Sequence, residues 1–216
     1  MAKKKVKEDL SNDSRNSSIY RFLPTENQKR IINTLISTKY STLVGPAGTG
    51  KDTICLFRAT RAILDKEYDK LIIIKPVEET GKSLGFLPGE LSEKTAPYEE
   101  FYKDLLKDML NKTYLERVLR STEFKVSNYL RGNTFKHSFI IVSEAQNYDL
   151  HTLMTIIERV HSSSTIVFNG DFYQTDIKGR SGYRAFIEIL KNAGFDTKIE
   201  LGKEFQMRNP DLVKIN

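Results

Sequence analysis

Seven residues, Gly45-Pro46-Ala47-Gly48-Thr49-Gly50-Lys51, follow directly on Ser41-Thr42-Leu43-Val44. Glycines let the main chain come close to an anion with its N–H groups turned inward, and a lysine at the end of such a loop adds a point charge. The G-x-x-x-x-G-K spacing holds phosphate when a strand enters the loop and a helix leaves it, because the helix N-terminus also points at the anion. Both flanks fit: the entering residues are short and apolar, and Thr53–Leu64 repeats apolar residues at helical spacing. The competing reading is an ordinary glycine turn, and the flanks favour the phosphate loop. The residue after Lys51 is Asp52, where the pattern asks for Ser or Thr.

Two further constellations stand at the ends of apolar runs. Ser143-Glu144-Ala145-Gln146-Asn147 follows Phe139–Val142. An acid at a strand end beside a phosphate loop is placed to handle magnesium or an attacking water, so Glu144 is the residue expected to polarise that water. Gln146 is a candidate to sense a terminal phosphate. Gly170-Asp171-Phe172-Tyr173-Gln174 follows Thr165–Phe168, and Gln174 is a second amide for the same role. Asn169-Gly170-Asp171 would also make a turn by itself. Gln28 has two readings. A carboxamide can pair with adenine through its donor and its acceptor, and Thr25-Glu26-Asn27-Gln28 has the form of a helix capping box.

These groups need a scaffold that brings strand ends together. Apolar spacing predicts helices over Glu26–Ser37 (with Ile31, Ile32, Leu35 and Ile36 on one face), from the loop to Leu64, over Tyr98–Leu110, Thr113–Leu119, Leu150–Val160 and Ser181–Lys191. Strands are predicted at Ser41–Val44, Leu71–Ile74, Phe139–Val142 and Thr165–Phe168, with a short strand or extended stretch over residues 124–130 and an edge strand at Lys198–Leu201. Continuous apolar runs are expected of strands buried on both faces. Residues 76–97, rich in Gly and Pro, read as a long loop. Strands alternating with helices give an α/β fold with a mostly parallel sheet, whose ligands bind at the C-terminal strand ends.

Composition sets the frame. The chain has 216 residues and a net charge of +6. Residues 1–18, with Lys3, Lys4, Lys5 and Lys7 and almost no apolar content, read as a disordered basic arm ahead of a single domain over 19–216. A basic balance suits a polyanionic partner such as RNA or single-stranded DNA, or simply a solvated basic surface. The one cysteine, Cys55, excludes an internal disulfide and fits a reducing cytoplasm. Neither a membrane-spanning run nor a secretory signal is expected, and the scattered His137, His151 and His161 make no recognisable metal site.

The motifs together resemble the PhoH-like family of P-loop ATPases. The likeness is carried by Gly45–Lys51, by Lys75-Pro76-Val77-Glu78 with Gly81–Gly89, by Tyr129-Leu130-Arg131-Gly132, by Phe139–Ile141 with Glu144–Asn147, by Gly170-Asp171 with Gln174, and by Arg208-Asn209-Pro210. It runs over most of residues 24–214. The resemblance implies a P-loop NTPase of the RecA/helicase-like kind, related to superfamily 1 helicases, with a mostly parallel sheet and helices on both faces. It implies an ATPase that uses ATP and Mg2+ and works with or on RNA or single-stranded DNA. The nucleotide-binding set is Gly45, Pro46, Ala47, Gly48, Thr49, Gly50, Lys51, Asp52 and Thr53, with Gln28. Glu144, Lys51 and Gln174 are the expected catalytic groups. Arg180 or Arg208 is expected to face a γ-phosphate, its own or a neighbour's in a homo-oligomeric ring, hexameric by family analogy. The compact length is similar to bacteriophage members, which would place the protein in the host cytoplasm.

The chain departs from the family at two places. Asp52 stands where Thr or Ser is usual, and Ser143 where Asp is usual. In P-loop ATPases the hydroxyl binds magnesium and the carboxylate orients it. Here each position carries the other's chemistry, so one carboxylate and one hydroxyl remain. Role exchange would keep the metal, held by Asp52 and Ser143, since magnesium accepts oxygen ligands and keeps several waters. Alternatively Asp52 repels the phosphates and the chain is a nucleotide- or nucleic-acid-binding module without hydrolysis. Thr53 does not replace the missing hydroxyl as a metal ligand, because one helical step turns a side chain by about 100°.

Overall fold

The computed structural model describes residues 18–76, 91–127, 130, 132–175, 181–195, 198–202 and 205, with the side chains of 91–95 left aside. Residues 1–17 of the expected arm, most of the expected 76–97 loop, and both Arg180 and Arg208 lie outside the described residues.

The elements run α1 (Glu26–Ser37), β1 (Tyr40–Val44), α2 (Lys51–Leu64), β2 (Lys70–Lys75), α3 (Leu91–Met109), α4 (Lys112–Arg120), β3 (Thr122–Val126), β4 (Ser138–Val142), α5 (Leu150–Glu158), β5 (Thr165–Gly170), α6 (Tyr183–Asn192) and β6 (Lys198–Glu200). Among the described residues the strands form one six-stranded sheet in the order β3-β2-β4-β5-β1-β6. Every pairing is parallel. Parallel strands need crossovers, and these place helices on both faces.

The central strands divide their side chains with a period of two. Leu43, Leu71, Ile73, Phe139, Ile141 and Val167 join the core beneath α1–α4. Val44, Ile72, Ile74, Ile140, Val142, Ile166 and Phe168 join the core beneath α5 and α6. Each such side chain contributes about 1.5–3 kcal/mol when fully buried. α2 runs through the first core, and its Ile54, Leu56, Phe57, Ala59 and Ala62 are all buried. The phosphate-loop helix is therefore anchored along its length.

Three expectations need correction. The long loop ends earlier than residue 97, because α3 begins at Leu91 and carries Pro97 inside it. Leu91–Ala96 contains good helix formers, and the missing proline N–H costs one rung that the packed remainder of the helix outweighs. The short strand or extended stretch expected at 124–130 is a strand with earlier bounds, β3 at Thr122–Val126, paired with β2 as an edge strand. Its Thr-Glu-Phe-Lys-Val alternation fits an edge better than a central run. Ile36, counted with the apolar face of α1, is exposed while Ile31, Ile32 and Leu35 are buried.

The order of the strands decides where chemistry can gather. β5 lies between β1 and β4. The C-terminal ends of these three strands carry residues 45–51, 143–147 and 170–174, so three distant segments open onto one edge of the sheet.

Candidate phosphate-binding and acidic site

The loop after β1 is shaped by its glycines. Gly48 and Gly50 hold φ of 79° and 78°, the left-handed region that costs an L side chain about 1 kcal/mol or more. Gly50 is the N-cap of α2. Gly45 touches the strand-end backbone so closely that a Cβ there would stand 2.9 Å from both Cβ and O of Leu201. Thr49 is buried, and its hydroxyl donates to the Pro46 carbonyl at 2.8 Å. A short loop pinned in this way, opening on a helix N-terminus, suits a phosphate chain.

Lys51 bridges the loop. Its Nζ donates to the Gly45 carbonyl at 2.7 Å and to the Pro46 carbonyl at 2.9 Å. Burial lowers its pKa, against the opposing pull of Asp52, Asp171 and Glu144. The ammonium therefore sits where desolvation strengthens its attraction for an anion.

Asp52 and Ser143, 91 residues apart, meet here: Ser143 Oγ donates to Asp52 Oδ1 at 3.2 Å. The same oxygen accepts from Asn169 Nδ2 at 3.0 Å and from the Tyr102 hydroxyl at 2.8 Å. Three donors, from the end of β4, from β5 and from α3, thus converge on one carboxylate carried by α2. The Asn169 carboxamide also accepts, through Oδ1, from the Glu144 main-chain N–H at 3.3 Å. Burial raises the pKa of Tyr102 well above its ordinary value, and the Asp52 charge adds to that. The phenol is thus held as a donor. The Cys55 thiol is buried and likewise pushed up, first by desolvation and then by Asp52. It is a packing residue rather than a nucleophile.

Glu144 is strained and braced. Its φ is 53°, left-handed for a residue with a Cβ. Its Oε2 accepts from Gln146 Nε2 at 2.7 Å. Gln146 is buried, and its Oε1 accepts from the Asp171 N–H at 3.0 Å. The Gln146 carboxamide thereby fastens the acid to the end of β5. Gly170 makes room for it, since a Cβ at that position would stand 2.8 Å from Gln146 Oε1.

The remaining candidates fall outside this cluster. Gln174 is exposed and makes no hydrogen bond among the described residues. Gln28 is buried, and its Oε1 accepts from Thr25 N at 2.9 Å while Thr25 Oγ1 accepts from Gln28 N at 3.3 Å. The capping box is therefore formed, and the acceptor half of the carboxamide belongs to it. Thr53 is half-buried in the first turn of α2. Sequence reasoning missed Asn169, which looks like part of a turn but continues β5, and Tyr102, which lies on α3 away from every motif. The apolar run before Asn169 is the signal that could have extended the strand.

The donor set fits magnesium. A carboxylate and a hydroxyl are hard oxygen ligands, and this ion takes few protein ligands beside phosphate and water. Among the described residues no cluster of three or more His, Cys, Asp or Glu is placed to hold a metal.

Comparison with known proteins agrees with this architecture. The chain is 36% identical over 172 residues to a PhoH-like protein of Mycobacterium leprae, covering 78% of this chain and 49% of that protein. It is 32% identical over 206 residues to the protein PhoH of Escherichia coli K12, covering 93% and 58% respectively. It thus spans about half the length of the curated relatives it matches. Among solved structures, the helicase domain of Pyrococcus furiosus Hef has the same fold, with a TM-score of 0.51 at 13% identity over 88% of this chain and 40% of that one. The profile of the family described as PhoH-like protein matches residues 23–216, and the chain belongs to that family, with the fold and loop of the P-loop NTPase type.

Proposed function

We propose that this chain is a magnesium-dependent ATPase that acts with or on RNA or single-stranded DNA. The observation that carries the proposal is the meeting of Asp52 with Ser143 at 3.2 Å beside the Lys51 loop. The two altered positions face each other, as an exchange of roles requires.

In this reading the loop of residues 45–53 wraps the phosphates, which the main-chain N–H groups of residues 47–53 and the Lys51 ammonium hold, while Pro46 has no N–H and that of Gly45 donates to the Gly170 carbonyl at 3.2 Å. Asp52 and Ser143 hold the metal, which when bound offsets charge on the phosphate oxygens. Glu144 orients a water toward the γ-phosphorus. The bond from that phosphorus to the bridging oxygen breaks as the bond to the water oxygen forms, giving ADP and phosphate. Gln146 keeps the Glu144 carboxylate in place, and Gln174 senses the γ-phosphate. Arg180 or Arg208, supplied within the chain or by a neighbour in a homo-oligomeric ring, balances the transferred charge. The net charge of +6 and a pI near 9.2 support a nucleic-acid partner. Residues 19–216 would act as one ATPase domain behind a basic arm, in the cytoplasm.

A second reading, a binding module without hydrolysis, draws on the carboxylate beside the loop. Two unit charges about 4 Å apart repel by roughly 4 kcal/mol at a partly buried site unless a metal stands between them. Phosphate release from ATP with magnesium, with and without single-stranded RNA and with Glu144→Gln as the blank, separates the two. Turnover abolished by that substitution supports the ATPase, and stimulation by RNA supports the nucleic-acid partner. No turnover in the native protein selects the binding module.

A further inference from the structure

We propose that Tyr102 is a positioning residue that fixes the Asp52 carboxylate for magnesium. The inference rests on the reading of the loop as a magnesium-dependent nucleotide site.

Tyr102 lies on α3, 50 residues from Asp52, and in none of the motifs that mark the loop or the acidic strand end. Its side chain is fully buried. The ring stands 5.2 Å from Phe101 edge-on and 6.3 Å from Phe124 between centroids, and the Lys75 ammonium sits 5.6 Å from its centre. These contacts leave the ring little freedom, and the hydroxyl is aimed at Asp52 Oδ1 from 2.8 Å. A phenol buried so deeply needs an acceptor, and an ionised carboxylate is the strongest available.

The hydrogen bonds to Asp52 fall on one side of it. Tyr102, Ser143 and Asn169 all donate to Oδ1. Among the described residues no hydrogen bond reaches Oδ2. One oxygen is thus tied to the protein, and the other keeps its lone pairs for a hard cation. A hydroxyl at position 52 has a single oxygen and cannot divide the two tasks in this way. Tyr102 and Asp52 therefore make a matched pair, and the partner supplied by α3 gives the unusual residue after Lys51 a fixed orientation. Outer partners that orient a ligand typically change metal affinity by about 10–100-fold when removed.

The test is binding of a fluorescent ADP analogue, in EDTA and across a magnesium titration, to the full chain and to Tyr102→Phe. Phenylalanine keeps the ring contacts and removes only the hydroxyl. The expected result is unchanged affinity in EDTA, which also reports an intact fold, with the magnesium midpoint raised about tenfold. In an Asp52→Thr background the same substitution should leave the midpoint where Asp52→Thr alone puts it, a result that a merely structural tyrosine would not give. Equal midpoints in the native chain and Tyr102→Phe overturn the inference alone, as does an equal shift in both backgrounds. A native chain whose nucleotide binding ignores magnesium overturns the reading beneath it as well.

Discussion

Exchanging Asp52 and Ser143 should cost less than changing either one. Ser143 Oγ lies 3.2 Å from Asp52 Oδ1. Ser143→Asp alone sets two carboxylates at about that separation, and at an effective dielectric near 20 their repulsion is on the order of 5 kcal/mol before relaxation or proton uptake. Asp52→Thr alone removes the acceptor of three hydrogen bonds, from Tyr102, Ser143 and Asn169. Hydrogen bonds to a charged group contribute about 1.5–3 kcal/mol each, and a threonine hydroxyl recovers part of this, so a loss of about 2–4 kcal/mol is expected. The double variant restores one carboxylate and one hydroxyl. Its coupling energy should reach at least about 3 kcal/mol, far beyond the roughly 0.5 kcal/mol within which independent sites add. Urea unfolding of the four proteins measures the stability cycle, and magnesium-dependent phosphate release measures the functional one. In turnover the same coupling corresponds to more than about a hundredfold. Additive effects in both cycles would refute the exchange of roles, and additivity in turnover alone would confine the pairing to stability.

Glu144→Gln should lower turnover by about 10²–10⁴ while nucleotide affinity stays within about twofold, because the carboxylate is assigned to the water and not to the phosphates; equal losses of both would remove that assignment. Gly170→Ala should destabilise the fold by about 1–3 kcal/mol, since its Cβ would stand 2.8 Å from both Gln146 Oε1 and Tyr183 Cε1. It should also lower turnover, because Gln146 must move and release Glu144; an unchanged protein by urea titration would show the contact to be slack. Lys51 has its pKa lowered by burial. Between that lowered value and its unfolded value near 10.5 the unfolded chain binds the extra proton, so stability rises with pH across this window. Native protein should therefore gain on Lys51→Met in urea titrations as pH rises toward 10.5, and pH-independent differences would refute the desolvated lysine.

The parts of the fold that could be read are those whose burial is simple. Leu71–Ile74, Phe139–Val142 and Thr165–Phe168 are apolar on both faces because both faces are covered, and each lies within a strand of the sheet. The bounds of β3 were blurred because an edge strand is half-solvated and reads as polar alternation. The start of α3 escaped because Pro97 looks like a boundary. In the site, Gly45–Lys51 was legible because the chemistry of a phosphate loop is contiguous in the chain. Tyr102 was not, because on its helix it is one aromatic among several, and only the packing of α3 against α2 turns it toward Asp52.

Asn169 shows what sequence order alone withholds. As Asn-Gly-Asp it has the look of a turn, and only the apolar run before it hints that the strand continues. The sheet order supplies the reason. β5 lies between β1 and β4, so a residue at its C-terminal end stands between the residue after the phosphate-loop lysine and the acid after β4. A carboxamide is suited to that place because it has both a donor and an acceptor. Asn169 gives the donor to Asp52 at 3.0 Å and the acceptor to the Glu144 N–H at 3.3 Å. One side chain of β5 consequently ties the residue after the phosphate-loop lysine to the main chain of the acid after β4. The Asp52 and Ser143 residue types are visible in the sequence; the side chain that joins Asp52 to the Glu144 main chain follows from the topology.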